Sequence, residues 1–124
     1  MAFAGAGSRI DNEVRSWADV VSGEHRFGGI EYRIGRREFG HRHGDSLVDI
    51  PFPMAVRNQL VSSGRADKHH IYPESGWISV HINAEADVEN AVGLLRMSYD
   101  IAMDRIQKRN GRGDNIGRMS MRED

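Results

Sequence analysis

Cysteine is absent from the 124 residues, which excludes a disulfide framework and any thiolate metal site and fits a reducing compartment. Lysine is nearly absent too: 2 lysines stand against 15 arginines, a bias that reads as codon usage more readily than as 15 anion contacts. No segment approaches the ~20 apolar residues of a membrane span. The first residues, Met1 to Gly7, lack the basic start and the sustained apolar run of a secretory leader. These absences predict a cytoplasmic protein with no membrane partner.

What is present is the composition of an ordinary globular chain, 39% hydrophobic and 28% charged. Its length suits one domain that buries roughly two thirds of the surface its unfolded chain exposes. The net charge of −1 argues against a general nucleic-acid binder, whose affinity needs a broad positive field. The charge is unevenly spread. Residues 1–104 carry 11 basic against 15 acidic side chains, and residues 105–124 carry 6 against 3, so the basic character belongs to the C-terminal tail.

Along the chain, Ser8-Arg9-Ile10-Asp11 has the form of a capping box, and Ile10, Val14, Trp17 and Val21 recur at helical spacing before Gly23. This predicts a helix from Arg9 to Ser22 with Trp17 as a core anchor. From His25 the period falls to two. Ile30, Tyr32 and Ile34 alternate with Glu31 and Arg33, Gly35 suits a tight turn, and Arg37, Phe39 and His41 alternate with Glu38 and Gly40, so a hairpin is expected. Leu47 to Phe52 reads as a third strand, ended by Pro51 and Pro53, and Met54 to Ser63 as a short helix stopped by Gly64.

Trp77 to Ile82 alternates cleanly, placing Ile78, Val80 and Ile82 on the core side and Trp77, Ser79 and His81 opposite. A long helix over Ala84–Gln107 follows, capped by Asn83 and carrying a stripe of Val88, Val92, Leu95, Tyr99, Ala102 and Ile106. At 1.5 Å per residue it spans roughly 36 Å, more than a domain of this size needs, and its far end offers a homodimer surface. Residues 108–124 show no periodicity and read as a disordered basic tail, leaving 8–107 as the domain. The predicted fold is α+β: a single domain with a mainly antiparallel sheet of about four strands, an N-terminal helix, a short middle helix and a long C-terminal helix.

Three motifs, Gly40-His41-Arg42-His43-Gly44-Asp45, Asp49-Ile50-Pro51-Phe52-Pro53 and Pro73-Glu74-Ser75-Gly76-Trp77, make the chain resemble the small bacterial and archaeal "luciferase domain" proteins over Phe27 to Ala102. The resemblance implies no particular reaction. The run from His70 to Trp77, the strand after it and a helix bearing Leu94-Leu95 and Ser98-Tyr99 are also similar to the MmcQ/YjbR-like proteins. That similarity implies an open antiparallel sheet with helices and a suspected affinity for DNA, although the lysine usual in the loop is missing.

The residues able to do chemistry near neutral pH gather between Arg36 and Trp77. His41 and His43, two apart on a strand, point the same way, and Asp45 continues the parity. His41, His43 and Asp45 therefore form a candidate site for a divalent zinc, iron or manganese cofactor with positions left open; the plainer reading is a pair of hydrogen-bonded histidines at the sheet edge. Of the adjacent His69 and His70, alternation lets one face the site, and the family likeness favours His70. Paired with Glu74 it suits acid–base work, with a loop-anchoring hydrogen bond as the alternative. Arg36, Arg37 and Arg42 suit a phosphate or carboxylate, or else cross-strand pairing with Glu31, Glu38, Asp45 and Asp49. Trp77 suits ligand stacking or a second core.

The leading expectation is a non-catalytic binding module for a small molecule or a protein partner, using Arg37, His41, His43, His70, Glu74 and Trp77. The alternatives are a metal- or histidine-dependent enzyme at His41 and His43, and nucleic-acid binding through the basic tail.

Overall fold

A computed structural model describes residues 3–25 and 28–118, with side chains to residue 110. Three helices and six strands follow in the order α1 (Ala6–Arg15), β1 (Val20–Glu24), β2 (Ile30–Ile34), β3 (Arg37–His43), β4 (Leu47–Pro51), α2 (Met54–Ser62), β5 (Asp67–Lys68), β6 (Trp77–His81) and α3 (Glu85–Arg118). The strands make one antiparallel sheet in the order β1-β2-β3-β4-β6-β5. The α+β class and the three helices agree with the sequence reading; the sheet has six strands where about four were expected.

One irregularity decides which side chains meet. Tyr32 pairs with Gly40, but the next residue, Arg33, pairs with Glu38, so Phe39 is the extra residue of a β-bulge. A bulge puts two consecutive residues on one face and reverses the parity beyond it. Phe39 accordingly turns to the helical side, its ring 5.5 Å from that of Tyr99 in α3. Gly40 lies on that side as well, where a Cβ would come 2.4 Å from Leu95 Cδ2, so the Leu95 side chain of α3 occupies the space a side chain would need. Glu38 and His41, three apart, then share the opposite face. In a regular strand they would point apart.

The core is the helical face. Ile10 and Val14 of α1, Tyr32, Phe39, Val48, Ile50, Ile78 and Val80 of the sheet, and Val88, Ala91, Leu94, Leu95 and Tyr99 of α3 are all buried. One buried polar lock ties α1 to the sheet: the Arg42 guanidinium donates to both carboxylate oxygens of Asp11 at 2.8 and 2.6 Å, and the Tyr32 hydroxyl donates to the same carboxylate at 2.6 Å. Burial works against the Asp11 carboxylate, but the bonds from Arg42 and Tyr32 outweigh it and hold its pKa below the usual value.

Three expected boundaries move. The first helix ends at Arg15, not Ser22. Asp19 adopts a left-handed φ of 66°, and Val20 to Ser22 pair with Ile34 to Tyr32 of β2. β-branched valines beside an open strand edge gain more from pairing than from one further helical turn. Ser8 is not the cap of that helix; Gly5 is, with no side-chain cap of its own. The third helix runs past the expected end at Gln107 to Arg118, since propagation adds a hydrogen bond per residue without a new nucleus. Residues 119–124 of the expected tail lie outside the described residues.

Removing Asp11 would leave the part-buried Arg42 guanidinium, 16% exposed, and the buried Tyr32 hydroxyl without their shared partner. Asp11→Ala is expected to lower the unfolding free energy by about 3 kcal/mol or more, measured by urea denaturation; a loss below about 1 kcal/mol would show that the lock does not hold α1.

Candidate metal centre

The sheet face away from α1 and α3 is polar, and it converges on one carboxylate. Asp49 sits mid-strand in β4, between Val48 and Ile50, which point into the core, so its side chain emerges on the other face. The register places His41 of β3 and Ser79 of β6 on either side of it. Asp49 is fully buried. Ser79 Oγ donates to its Oδ1 at 2.7 Å. Around Oδ2 stand four imidazole Nε2 atoms: His41 at 3.3 Å, His43 at 3.2 Å, His69 at 3.3 Å and His70 at 3.2 Å.

The four rings are not equivalent, and their other nitrogens distinguish them. The backbone N–H groups of Ile71 and Tyr72 both donate to His69 Nδ1, each at 3.1 Å. Assigned from these partners, Nδ1 carries no proton, so the neutral ring bears it on Nε2 and donates to Asp49. Burial lowers the His69 pKa and favours that neutral form. His69 is therefore a positioning residue for Asp49 rather than a metal ligand.

His41 has the opposite arrangement. Its Nδ1 lies 2.6 Å from Glu38 Oε2, so Nδ1–H donates to that carboxylate and leaves Nε2 facing Asp49. Two lone pairs cannot face each other there without a proton or a cation between them. Burial opposes the imidazolium, but the hydrogen bonds to Asp49 and Glu38 and the charges of both outweigh it and raise the pKa to about 9. Asp49 is likewise held well below the carboxylate range: burial works against its charge, and bonds from His41, Ser79 and His70 overcome it.

The Nε2 atoms of His41 and His43 and the Asp49 carboxylate lie within 4.8 Å of one another, as do the ligand atoms of Asp49, His69 and His70. The tautomer of His69 removes it from the second group. What is left is two imidazoles and a carboxylate on one face, with His70 beside them. The 3.2 and 3.3 Å separations of Asp49 Oδ2 from these nitrogens match the edge of about 3.3 Å of a tetrahedron built on metal–ligand bonds of about 2.0–2.1 Å. The Glu38 carboxylate on His41 is the outer partner that metal-bound histidines usually have.

A cleft of about 450 Å³ opens onto the cluster between Trp77, Tyr72, Ile71 and His25. His25 stacks on His41 with ring centroids 4.2 Å apart, and Trp77 flanks His41 at 5.2 Å. Ile71 and Tyr72 at the mouth are 62% and 64% exposed. The segment that carries them is anchored: Arg57 of α2 donates to the Pro73 carbonyl, and the Phe52 N–H donates to the Gly76 carbonyl at 3.0 Å.

Of the residues predicted for the site, the fold brings His41, His43, His70 and Trp77 together. Asp45 is elsewhere: its carboxylate accepts from the Gly5 and Gly7 N–H groups at 3.3 and 2.7 Å, capping α1, because the β3–β4 turn carries it to that helix. Glu74 is exposed and stands away from the cleft. Arg37 is exposed at the other end of β3, and Arg42 is taken by Asp11. Asp49, His69, Glu38 and Ser79 were not singled out as site residues. Asp49 alone left a clear signal, as an acid within an otherwise apolar strand. Both His69 and His70 reach it, against the alternation rule, because β5 ends at Lys68 and the chain beyond is not extended.

Without metal, the His41–Asp49 pair makes stability depend on pH. A histidine whose folded pKa is raised to about 9 from 6.5 contributes fully below 6.5 and loses the contribution as pH rises through 9. His69, shifted downward, acts only below its ordinary value. Metal-free protein is therefore expected to be less stable at about pH 9.5 than at about pH 7. His41→Gln should flatten that slope in denaturant titrations; an unchanged slope would contradict the assignment.

The Luciferase domain family pattern matches residues 36–98, half of the chain. No curated protein and no solved structure matches.

Proposed function

The chain belongs to the luciferase-domain family, and we propose that its members' shared segment here forms a mononuclear divalent-metal centre, held by His41, His43 and Asp49, that acts on a small molecule in the adjoining cleft. The observation carrying this reading is the convergence of His41 Nε2, His43 Nε2 and the Asp49 carboxylate on one point, with Glu38 fixing the His41 ring. Nitrogen and oxygen donors without thiolate suit zinc, iron or manganese, and two imidazoles with one carboxylate leave coordination positions free. A metal bound there acts as a Lewis acid toward an oxygen or nitrogen donor of the ligand.

The chain's own groups divide the remaining work. Ser79 and His69 fix the carboxylate of Asp49 from two sides. His70, whose side chain is 39% exposed, sits where it can carry a proton between cleft and solvent or close on the metal as a further ligand. Trp77, Tyr72 and Ile71 supply an apolar wall that binds the body of a small molecule. A binding module without turnover would use the same wall and the same metal; steady-state turnover separates the two.

Elemental analysis of untagged protein is expected to find close to one transition metal per chain. His43→Ala and Asp49→Ala should abolish retention, Glu38→Gln should weaken affinity about 10–100-fold, and Asp45→Asn should leave it unchanged. Metal retained by both His41→Ala and His43→Ala, or no uptake by the folded wild-type chain, would sink the reading.

A further inference from the structure

Eleven arginine side chains are described, and seven of them have a partner. Arg9, Arg15, Arg33, Arg42 and Arg96 pair with carboxylates, Arg65 donates to Asn90, and Arg57 to Asn58 and Pro73. Arg36, Arg37, Arg105 and Arg109 have no ion pair or side-chain hydrogen bond among the described residues, and these four converge. Arg36 and Arg37 leave the β2–β3 turn, and Arg105 and Arg109 lie one helical turn apart on α3, so that all four line one hollow of about 670 Å³. Arg37 and Arg105 also line a second hollow of about 220 Å³, which reaches Trp77.

Like charges four apart on a helix repel, and a second like-charged pair packed opposite adds to the repulsion. The acids adjoining Arg37 and Arg105 in sequence are engaged: Glu38 holds His41, and Asp104 holds Lys108 at 3.2 Å. A chain of net charge −1 has carboxylates enough to neutralise this place and does not. A bound multiply charged oxyanion relieves the repulsion, and guanidinium forks match its paired oxygens bidentately.

We propose that Arg36, Arg37, Arg105 and Arg109 form a binding site for a di- or polyphosphate group of a small molecule, separate from the metal centre. The four guanidinium groups come from two elements, the β2–β3 turn and α3, and line one hollow, which suits the compact charge of a di- or polyphosphate better than the long uniform charge of a nucleic-acid strand or a bilayer. Glu38 and Trp77 line both the smaller arginine hollow and the histidine cleft, so a ligand of nucleotide size anchored by its phosphates would reach toward the metal side.

The probe is inorganic pyrophosphate, titrated calorimetrically into the full-length, metal-stripped chain at constant ionic strength. Saturable one-site binding is expected, weakened about tenfold or more by Arg37→Ala and by Arg105→Ala and lost in the double variant. His43→Ala should bind pyrophosphate normally, which keeps this site distinct from the metal reading. These arginines are exposed, so the variants fold, as circular dichroism would verify. Absence of saturable binding, or binding unchanged in the double variant, would overturn the proposal. So would arginine-dependent binding of single-stranded oligouridylate, or of vesicles of equal parts phosphatidylcholine and phosphatidylserine, in the absence of pyrophosphate binding.

Discussion

A carboxylate removed from water needs a counter-charge, and Asp49 is fully buried. Its surroundings answer that need on every side, with a hydroxyl on one oxygen and four imidazole nitrogens about the other. Three segments distant in sequence, the β3 histidines, the β6 serine and the His69-His70 pair after β5, are thereby required to meet at one point. The cost of leaving that carboxylate unpaired ties the sheet's polar face to the register of its strands. The interaction is also asymmetric: His69 is committed by its Nδ1 bonds to donating a proton, whereas His41 and His43 present Nε2 atoms that a cation can take up.

The bulge at Phe39 reconciles this face with the core. Without it, Phe39 and His41 would share a side, and either the aromatic cluster with Tyr99 or the histidine cluster with Asp49 would be lost. With it, Phe39 and Gly40 both serve the packing of α3, and Glu38 and His41 both face the histidine cluster around Asp49. One inserted residue thus builds a hydrophobic layer and a hydrogen-bonded carboxylate–imidazole pair from a single seven-residue strand.

This explains which parts were legible in the sequence. Ile78, Val80 and Ile82 alternate without interruption, and the stripe on α3 is unbroken, so those elements and the α+β class follow from periodicity alone. His41 and His43 were legible as a pair because the strand is regular between them. The role of Glu38 was not, because a bulge is set by the pairing of β2 with β3 and leaves no mark in the alternation of β3 by itself. Asp45 was chosen over Asp49 for the same reason: parity along one strand was visible, but the cross-strand neighbour of His41 is fixed by β4 register. The valines at Val20 and Val21 fit a helical stripe and a strand equally well, and only the open edge of β2 decides between them.

A metal held by His41, His43 and Asp49 should be visible by anomalous diffraction, recorded at the metal edge, from crystals of the full chain grown with zinc or manganese. The account predicts a single strong peak about 2.0–2.2 Å from His41 Nε2, His43 Nε2 and an Asp49 carboxylate oxygen. No peak there, with the His41 ring still closed on Asp49, would contradict it.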